Sequence, residues 1–276
     1  MFNGRFEGWY YKQRTGDYML AFIPGRADGG AFIQMIDSDG TRHFPMPQMS
    51  VWRDTVHVGD CVFSPMGLRV RLPGVEGTLH FSTPTPLRSD IMGPFAGLPM
   101  QCRHGVVSMN HSVDGEITVD GVTHVFAQGS GYAEKDSGRS FPRSYLWLQC
   151  NDFDEPCSCM LSIAHIPFLG FSFTGCICAV LFGGREYRLA TYRGVRIVSG
   201  DREHLILRQG RLRLELTVIP RDGGHPLLAP MRGSMSETVR ECCEAYLQLH
   251  LMQDGKTLLR TESNHAAFEE RTDISR

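Results

Sequence analysis

Along most of this chain apolar and polar residues alternate singly, in short runs. YMLAFIPG, GLRVRLPG, GTLHFSTP, SYLWLQCND, EYRLATYRG and RLRLELTVIP share this period of two, and Gly, Pro or Asp closes most of them. Successive side chains of a strand point to opposite faces, so each run predicts a β-strand with one face toward a core. Asp39-Gly40 and Asp254-Gly255 sit between such runs. Both predict hairpin turns, because glycine accepts the positive φ of a two-residue loop. Strands at this spacing, without helical stretches between them, predict an all-β protein of antiparallel barrels or sandwiches. Closure into a barrel would also remove the edges that so many strands expose.

Three segments depart from the pattern. Residues 236–244 (SETVRECCE) admit a two-turn helix, with Ser236 as its cap. Residues 84–101 are rich in Pro and Gly and read as a long irregular connection. The residues after Phe268 read as a polar, frayed tail.

One short echo runs through the chain. Gly8-Trp9-Tyr10-Tyr11-Lys12 is matched by Gly131-Tyr132-Ala133-Glu134-Lys135, and each precedes a Gly-containing turn and an aromatic-rich run. Lys12 and Lys135 are two of only three lysines in the chain. The echo suggests two related β units, each opening on the same strand. On this reading residues 1–110 form an N-terminal domain and 111–276 a C-terminal one.

The faces of these strands supply the candidate chemistry. Glu7, Trp9 and Tyr11 share one face of the first, and Ser130, Tyr132 and Glu134 share one face of its counterpart. Tyr145, Trp147, Gln149 and Asn151 fall on one side of a later strand. Aromatics mixed with a few hydrogen-bonding groups are the lining of an apolar ligand site. The competing reading is a set of amphipathic aromatics on a sheet surface. Glu134 and Glu7 lie beside rings rather than in charged runs. A carboxyl desolvated among rings holds its proton and can donate it. An ion pair with a basic neighbour is the alternative, although Lys12 and Lys135 would point to the opposite faces of their own strands. His165, in the apolar run SIAHIPFLGFSF, is either a hydrogen-bonded core residue or a catalyst. His104, Asn110 and His111 read as loop polarity near the domain boundary.

Composition removes several classes of function. The formal net charge is −2 and the basic residues are scattered, so a nucleic-acid partner is not expected. No run approaches the ~20 apolar residues of a membrane span, and no apolar leader opens the sequence. The nine cysteines are irregularly spaced. Cys157-x-Cys159 and Cys176-x-Cys178 lack the spacing of zinc knuckles and read as small buried hydrophobes, so no metal is expected. Reduced thiols and a cytoplasmic location follow. Phosphate loops and a serine nucleophile elbow are absent, and no cofactor is implied.

The segment 6–12 (FEGWYYK) and the block 131–151 resemble the signature blocks of the tocopherol cyclase family. In the second block these are Ala133-Glu134-Lys135, Asp136, Gly138, Ser140-Phe141-Pro142, Trp147, Gln149 and Asn151. The resemblance implies two lipocalin-like β domains, shared more distantly with carotenoid hydratases. It also implies cyclisation of a prenylated quinol to a chromanol: an acid protonates an alkene and the phenol oxygen captures the cation. Such chemistry needs one protonated acid and an apolar tunnel with cation-stabilising walls. Glu134 is then the favoured acid, with Glu7 second and His165 third. Trp9, Tyr11, Tyr132, Lys135 and Trp147 would line the substrate, and Gln149 and Asn151 would orient its polar head. The alternatives are a non-catalytic carrier of an apolar small molecule and a barrel used for protein interaction.

Overall fold

The computed structural model describes residues 4–168, 170–200, 203–221 and 223–271. The chain forms two compact units. The first comprises Met1–Leu87, Cys102–Phe141 and Pro226–Thr238; the second comprises Arg88–Gln101, Pro142–His225 and Val239–Arg276. The expected boundary at residue 110 lies inside one continuous strand of the first unit.

That unit is built on β1 (Phe6–Thr15), β2 (Tyr18–Ala27), β3 (Gly30–Asp37), β4 (Gly40–Met46), β5 (Met49–Trp52), β6 (Thr55–Val58), β7 (Cys61–Ser64), β8 (Gly67–Leu72), β9 (Val75–Phe81), β10 (Cys102–Val119) and β11 (Val122–Gly138). They make one antiparallel sheet in the order β4-β3-β2-β1-β11-β10-β9-β8-β7-β6-β5. One face carries the core. Trp9, Tyr11, Phe22, Met35, Phe63, Leu79, Ile117 and Phe126 are all buried in a single cluster. Tyr11 stacks on Phe63, ring centroids 5.6 Å apart. The interior of this unit is therefore occupied by its own side chains.

The second sheet uses β12 (Tyr145–Cys150), β13 (Cys157–Phe168), β14 (Phe171–Phe182), β15 (Arg185–Ala190), β16 (Arg196–Gly200), β17 (His204–Gln209), β18 (Leu212–Ile219), β19 (His225–Met231), β20 (Ser234–Gln253) and β21 (Lys256–Arg271). Its order is β15-β14-β13-β12-β21-β20-β18-β17-β16, and β19 pairs with β20. Gln209 joins β17 to β15: its Nε2 donates to the Arg188 carbonyl and its Oε1 accepts from the Ala190 N–H, both at 2.9 Å. One amide thereby satisfies two backbone groups that an open sheet would leave bare. The core is aliphatic and rich in thiols, with Leu148, Leu161, Leu247 and Leu249 around Cys150, Cys159 and Cys178. All nine cysteines are free, as expected of small buried hydrophobes.

The two hairpin predictions hold. Asp254 and Gly255 take φ of 55° and 77° and link paired Gln253 and Lys256. Asp37 Oδ1 accepts the N–H groups of Asp39 and Gly40, closing the other turn. The helix expected at 236–244 does not form, because this segment lies inside β20. Its alternating burial, with Val239 and Glu241 inward and Thr238 and Arg240 outward, satisfies a sheet better than a helix. The first residues of the expected tail are not frayed. Glu269, Glu270 and Arg271 pair with β12, and residues 272–276 lie outside the described residues. The connection 84–101 is irregular apart from one 3₁₀ turn, Gly93–Gly97. Arg188, fully buried, ties it down by donating to Ser89 Oγ and to the carbonyls of Ser89 and Asp90 at 2.8–2.9 Å. Among the described residues no helix is long and apolar enough to cross a membrane.

Candidate active site

The two halves of the sequence echo are neighbours in one sheet rather than the openings of two units. β1 and β11 pair antiparallel, with Gly8 opposite Asp136, Trp9 opposite Lys135, Tyr10 opposite Glu134 and Lys12 opposite Tyr132. Paired residues of a sheet share a face. Tyr132 and Glu134 therefore lie with Tyr10 and Lys12, while Trp9 and Tyr11 lie with Ala133 and Lys135 on the core face. The wall expected from Trp9, Tyr11 and Tyr132 together does not exist, since the sheet separates them.

Glu7 is likewise on the other side. Its carboxylate is 2.5 Å from Arg26 Nη2 and 3.3 Å from Lys135 Nζ. Lys135 also lies 4.1 Å over the Trp9 ring. The expectation that Lys135 points away from Glu7 fails because antiparallel pairing brings both to one face. Glu7 is therefore the centre of an ion-pair group with Arg26 and Lys135, on the face of the sheet away from Glu134. His165 is an exposed position of β13 and approaches none of the other candidates of its own unit in the contacts observed.

Glu134 is buried and accepts a 2.5 Å hydrogen bond from the Tyr132 hydroxyl. Residues two apart on a strand share a face, so this pair follows directly from the sequence. His104 of β10 completes the group. It sits opposite Asp136, and its Nδ1 is 3.0 Å from Asp136 Oδ1. Its Nε2 is 3.4 Å from Glu134 Oε2. Side-chain exposure falls along the chain from 20% at Asp136 to 12% at His104 and 7% at Glu134. The array Asp136–His104–Glu134–Tyr132 thus runs from a half-buried carboxylate to a buried one. Its Asp136–His104 and Tyr132–Glu134 links are hydrogen bonds, and a small turn of the imidazole would add the third and let a proton pass inward. One ligand atom from each of His104, Glu134 and Asp136 lies within 4.8 Å of the others, so a cation could draw the three together. Cys102 Sγ is 3.8 Å from Asp136 Oδ1. Burial and the adjacent Asp136 push its thiol well above the usual range.

Gly8 lies beside Asp136 and leaves that position open: a side chain there would meet only the Pro24 carbonyl, at 3.8 Å. Phe6 and Phe141 pack edge to face at 5.4 Å on the same stretch of β1. The sequence gives His104 only as loop polarity near a boundary and Asp136 only as a member of the signature block, and neither as a site residue. The signal that could have found His104 is its place opposite the AEKD block in the neighbouring strand.

In the second unit, the face of β12 opposite the core carries Tyr145, Trp147 and Gln149, all buried. Gln149 Nε2 donates to Asn151 Oδ1 at 3.1 Å, so these two candidates form one polar pair. The Tyr145 hydroxyl donates a short hydrogen bond to Glu269, which lies opposite Trp147 and Glu241 on neighbouring strands. Glu269 and Glu241 are a second buried carboxylate pair that the sequence did not single out. Elsewhere in the first unit a groove of about 590 Å³ is lined by residues including His57, Asp60, Arg69, Arg71 and Glu116, and by none of the candidates.

Known proteins support this architecture. Residues 78–270 match the tocopherol cyclase-like family. A chloroplastic protein of Oryza sativa subsp. japonica, described as a probable tocopherol cyclase, is 22% identical over 209 residues. The match covers 67% of this chain but only 43% of the rice protein, so the chain spans less than half of that relative. Two crystal structures share the fold. A protein of Nitrosomonas europaea described as a putative AttH superposes with a TM-score of 0.55 at 15% identity, over 96% of this chain and 92% of that one. Kievitone hydratase from Nectria haematococca gives a TM-score of 0.56 at 11% identity, over 98% and 90%. At such identities the two structures establish the all-β, lipocalin-like fold of two sheets and nothing about substrate. The match across most of the sequence establishes more: the chain belongs to the tocopherol cyclase-like family.

Proposed function

We propose that this protein is an acid-catalysed isomerase or lyase that protonates an alkene of an apolar, isoprenoid-type substrate, with Glu134 as the acid. The observation that carries the reading is the array Asp136–His104–Glu134–Tyr132, which ends on a buried carboxyl. The family and the hydratase neighbour support the same reaction class.

The chemistry needs no redox step. Glu134 transfers its proton to the less substituted alkene carbon, leaving a tertiary cation. The carboxylate left behind is stabilised by the Tyr132 hydroxyl and by His104. Tyr10, opposite Glu134 on β1, and Tyr132 offer π faces to the cation. In a cyclisation, the substrate's phenol oxygen then captures the cation and its proton returns to Glu134. In a hydration, water captures the cation and loses the proton. His104 and Asp136 carry protons between Glu134 and the surface. The nine free thiols support a reducing, cytoplasmic setting.

The test is turnover of a panel of prenylated quinols in D₂O. The reading expects one non-exchangeable deuterium at the protonated carbon. Glu134→Gln should abolish turnover and retain substrate affinity. Retained turnover in that variant would overturn Glu134 as the acid. Substrate binding without product, across the panel, would favour the carrier.

A further inference from the structure

We infer that the first unit carries a zinc site formed by His104, Glu134, Asp136 and the thiol of Cys102, and that zinc bound there switches the acid off. The site itself is independent of the function proposed above; only its inhibitory effect rests on that reading.

The donors converge before any ion is present. Cys102, His104 and Val106 lie opposite Gly138, Asp136 and Glu134, so β10 and β11 turn all four donors to one face. Zn–N, Zn–O and Zn–S bonds of about 2.0–2.3 Å give ligand-to-ligand edges of roughly 3.3–3.6 Å around a tetrahedron. Here His104 Nδ1 is 3.0 Å and Cys102 Sγ 3.8 Å from the same Asp136 oxygen, and one donor atom from each of the other three lies within 4.8 Å of its fellows. Closing a tetrahedral shell takes side-chain rotations that bring the donors, Glu134 above all, about an ångström nearer one another. The chemistry of the set is also selective. Imidazole, thiolate and carboxylate together suit Zn²⁺, while Mg²⁺ and Ca²⁺ prefer oxygen alone. The carboxylates supply the charge that neutralises the ion.

Binding has a defined proton balance. The thiol must lose its proton, and any proton shared among His104, Glu134 and Asp136 must leave, because only deprotonated donors ligate. Glu134 then has no proton to give, and His104, with one nitrogen on the ion, can no longer pass a proton from one ring nitrogen to the other. No metal-centred step is required, since the ion acts by occupying the acid.

The experiment uses the full chain and zinc chloride alone. Calorimetry in two buffers of different ionisation enthalpy should report one ion per chain with release of at least one proton. Cobalt in place of zinc should give a thiolate-to-metal absorption band in the near ultraviolet. Cys102→Ser should remove that band and weaken zinc by at least about tenfold. Asp136→Asn should weaken zinc without needing a functional assay. Absence of binding at about 0.1 mM zinc, or binding that neither variant changes, would overturn the site. Zinc binding with the cobalt band, in a protein that turns over no substrate, would uphold the site and defeat the function proposed above. Should Cys102→Ser fail to fold, Cys102→Ala judged by the cobalt band keeps the test decisive.

Discussion

His111 gives this fold a calculable acid sensitivity. The imidazole is buried in the first unit, its Nδ1 3.0 Å from Ser108 Oγ, with its ring 4.5 Å from that of Phe81. Burial pushes its pKa down to about 4, from the ordinary 6.5. The sign follows from linkage. The unfolded chain takes the proton near pH 6.5 and the folded one only near pH 4, so stability is complete above pH 6.5 and falls with pH between these values. The loss is about 2 kcal/mol at pH 5 and about 3 kcal/mol once pH 4 is passed, at 1.36 kcal/mol per pH unit. Chains of more than one unit need not unfold in a single step, so the probe should report on the first unit alone. Trp9 and Trp52 belong to it and Trp147 does not. In a Trp147→Phe background, tryptophan fluorescence in urea therefore reports on the unit that holds His111. The comparison is with His111→Gln, which keeps a polar side chain and cannot titrate. Every other group cancels in the difference. The stability gap between the two proteins should narrow by about 2 kcal/mol from pH 7.5 to pH 5. Parallel pH profiles would refute the argument, as would a proton-NMR titration of His111 above pH 6.

Gly131→Ala should destabilise the same unit by about 1–3 kcal/mol in urea, because a Cβ there would lie 2.2 Å from His111 Nε2 and 2.9 Å from Val113 Cγ2. Glu7→Gln should leave turnover near the parent level and cost only roughly 1 kcal/mol, since its partners Arg26 and Lys135 are each about a third exposed; a loss comparable to that of Glu134→Gln would contradict the assignment. Native protein at pH 8 should resist iodoacetamide at Cys159, Cys176 and Cys178. All three are buried, and burial pushes the Cys176 thiol up to about 12. Mass spectrometry should find these sites unlabelled until the chain is unfolded.

The parts of the fold legible in the sequence are those set by local geometry. Period two fixes which neighbours share a face, so the Tyr132–Glu134 contact could be read from two positions on one strand. Asp-Gly pairs fix turns in the same local way. The relations that failed are between strands. Whether two similar segments head separate domains or pair antiparallel depends on contacts more than a hundred residues apart, and the composition of GWYYK and GYAEK is the same in both cases. His104 was missed for a related reason. β10 carries register shifts between Val106 and Ser108 and between Ser108 and His111, so simple alternation misplaces what lies on either side. Bulges are invisible to a pattern of period two. The adjacent buried pair Cys242-Cys243 in β20 has the same origin: the register shifts between Cys242 and Ala245, and the broken alternation imitates a helix.

Antiparallel pairing also explains how a carboxyl can keep acid chemistry beside a lysine. Glu134, Lys135 and Asp136 are consecutive, and in a flexible loop the ammonium could settle between the two carboxylates. The pleat forbids this by sending Lys135 to the opposite face. There Glu7 takes the ammonium at 3.3 Å and the Trp9 ring at 4.1 Å, with Arg26 beside them. Coulomb attraction falls inversely with distance, so the cation spends most of its effect on Glu7. His104 is a basic group that meets both Glu134 and Asp136, and an imidazole, unlike an ammonium, ordinarily exchanges its proton near neutral pH. The pattern that places Glu7 among the sequence candidates is therefore the one that gives it Arg26 and Lys135 as partners. Held there, the Lys135 ammonium stays on the face of the sheet away from Glu134.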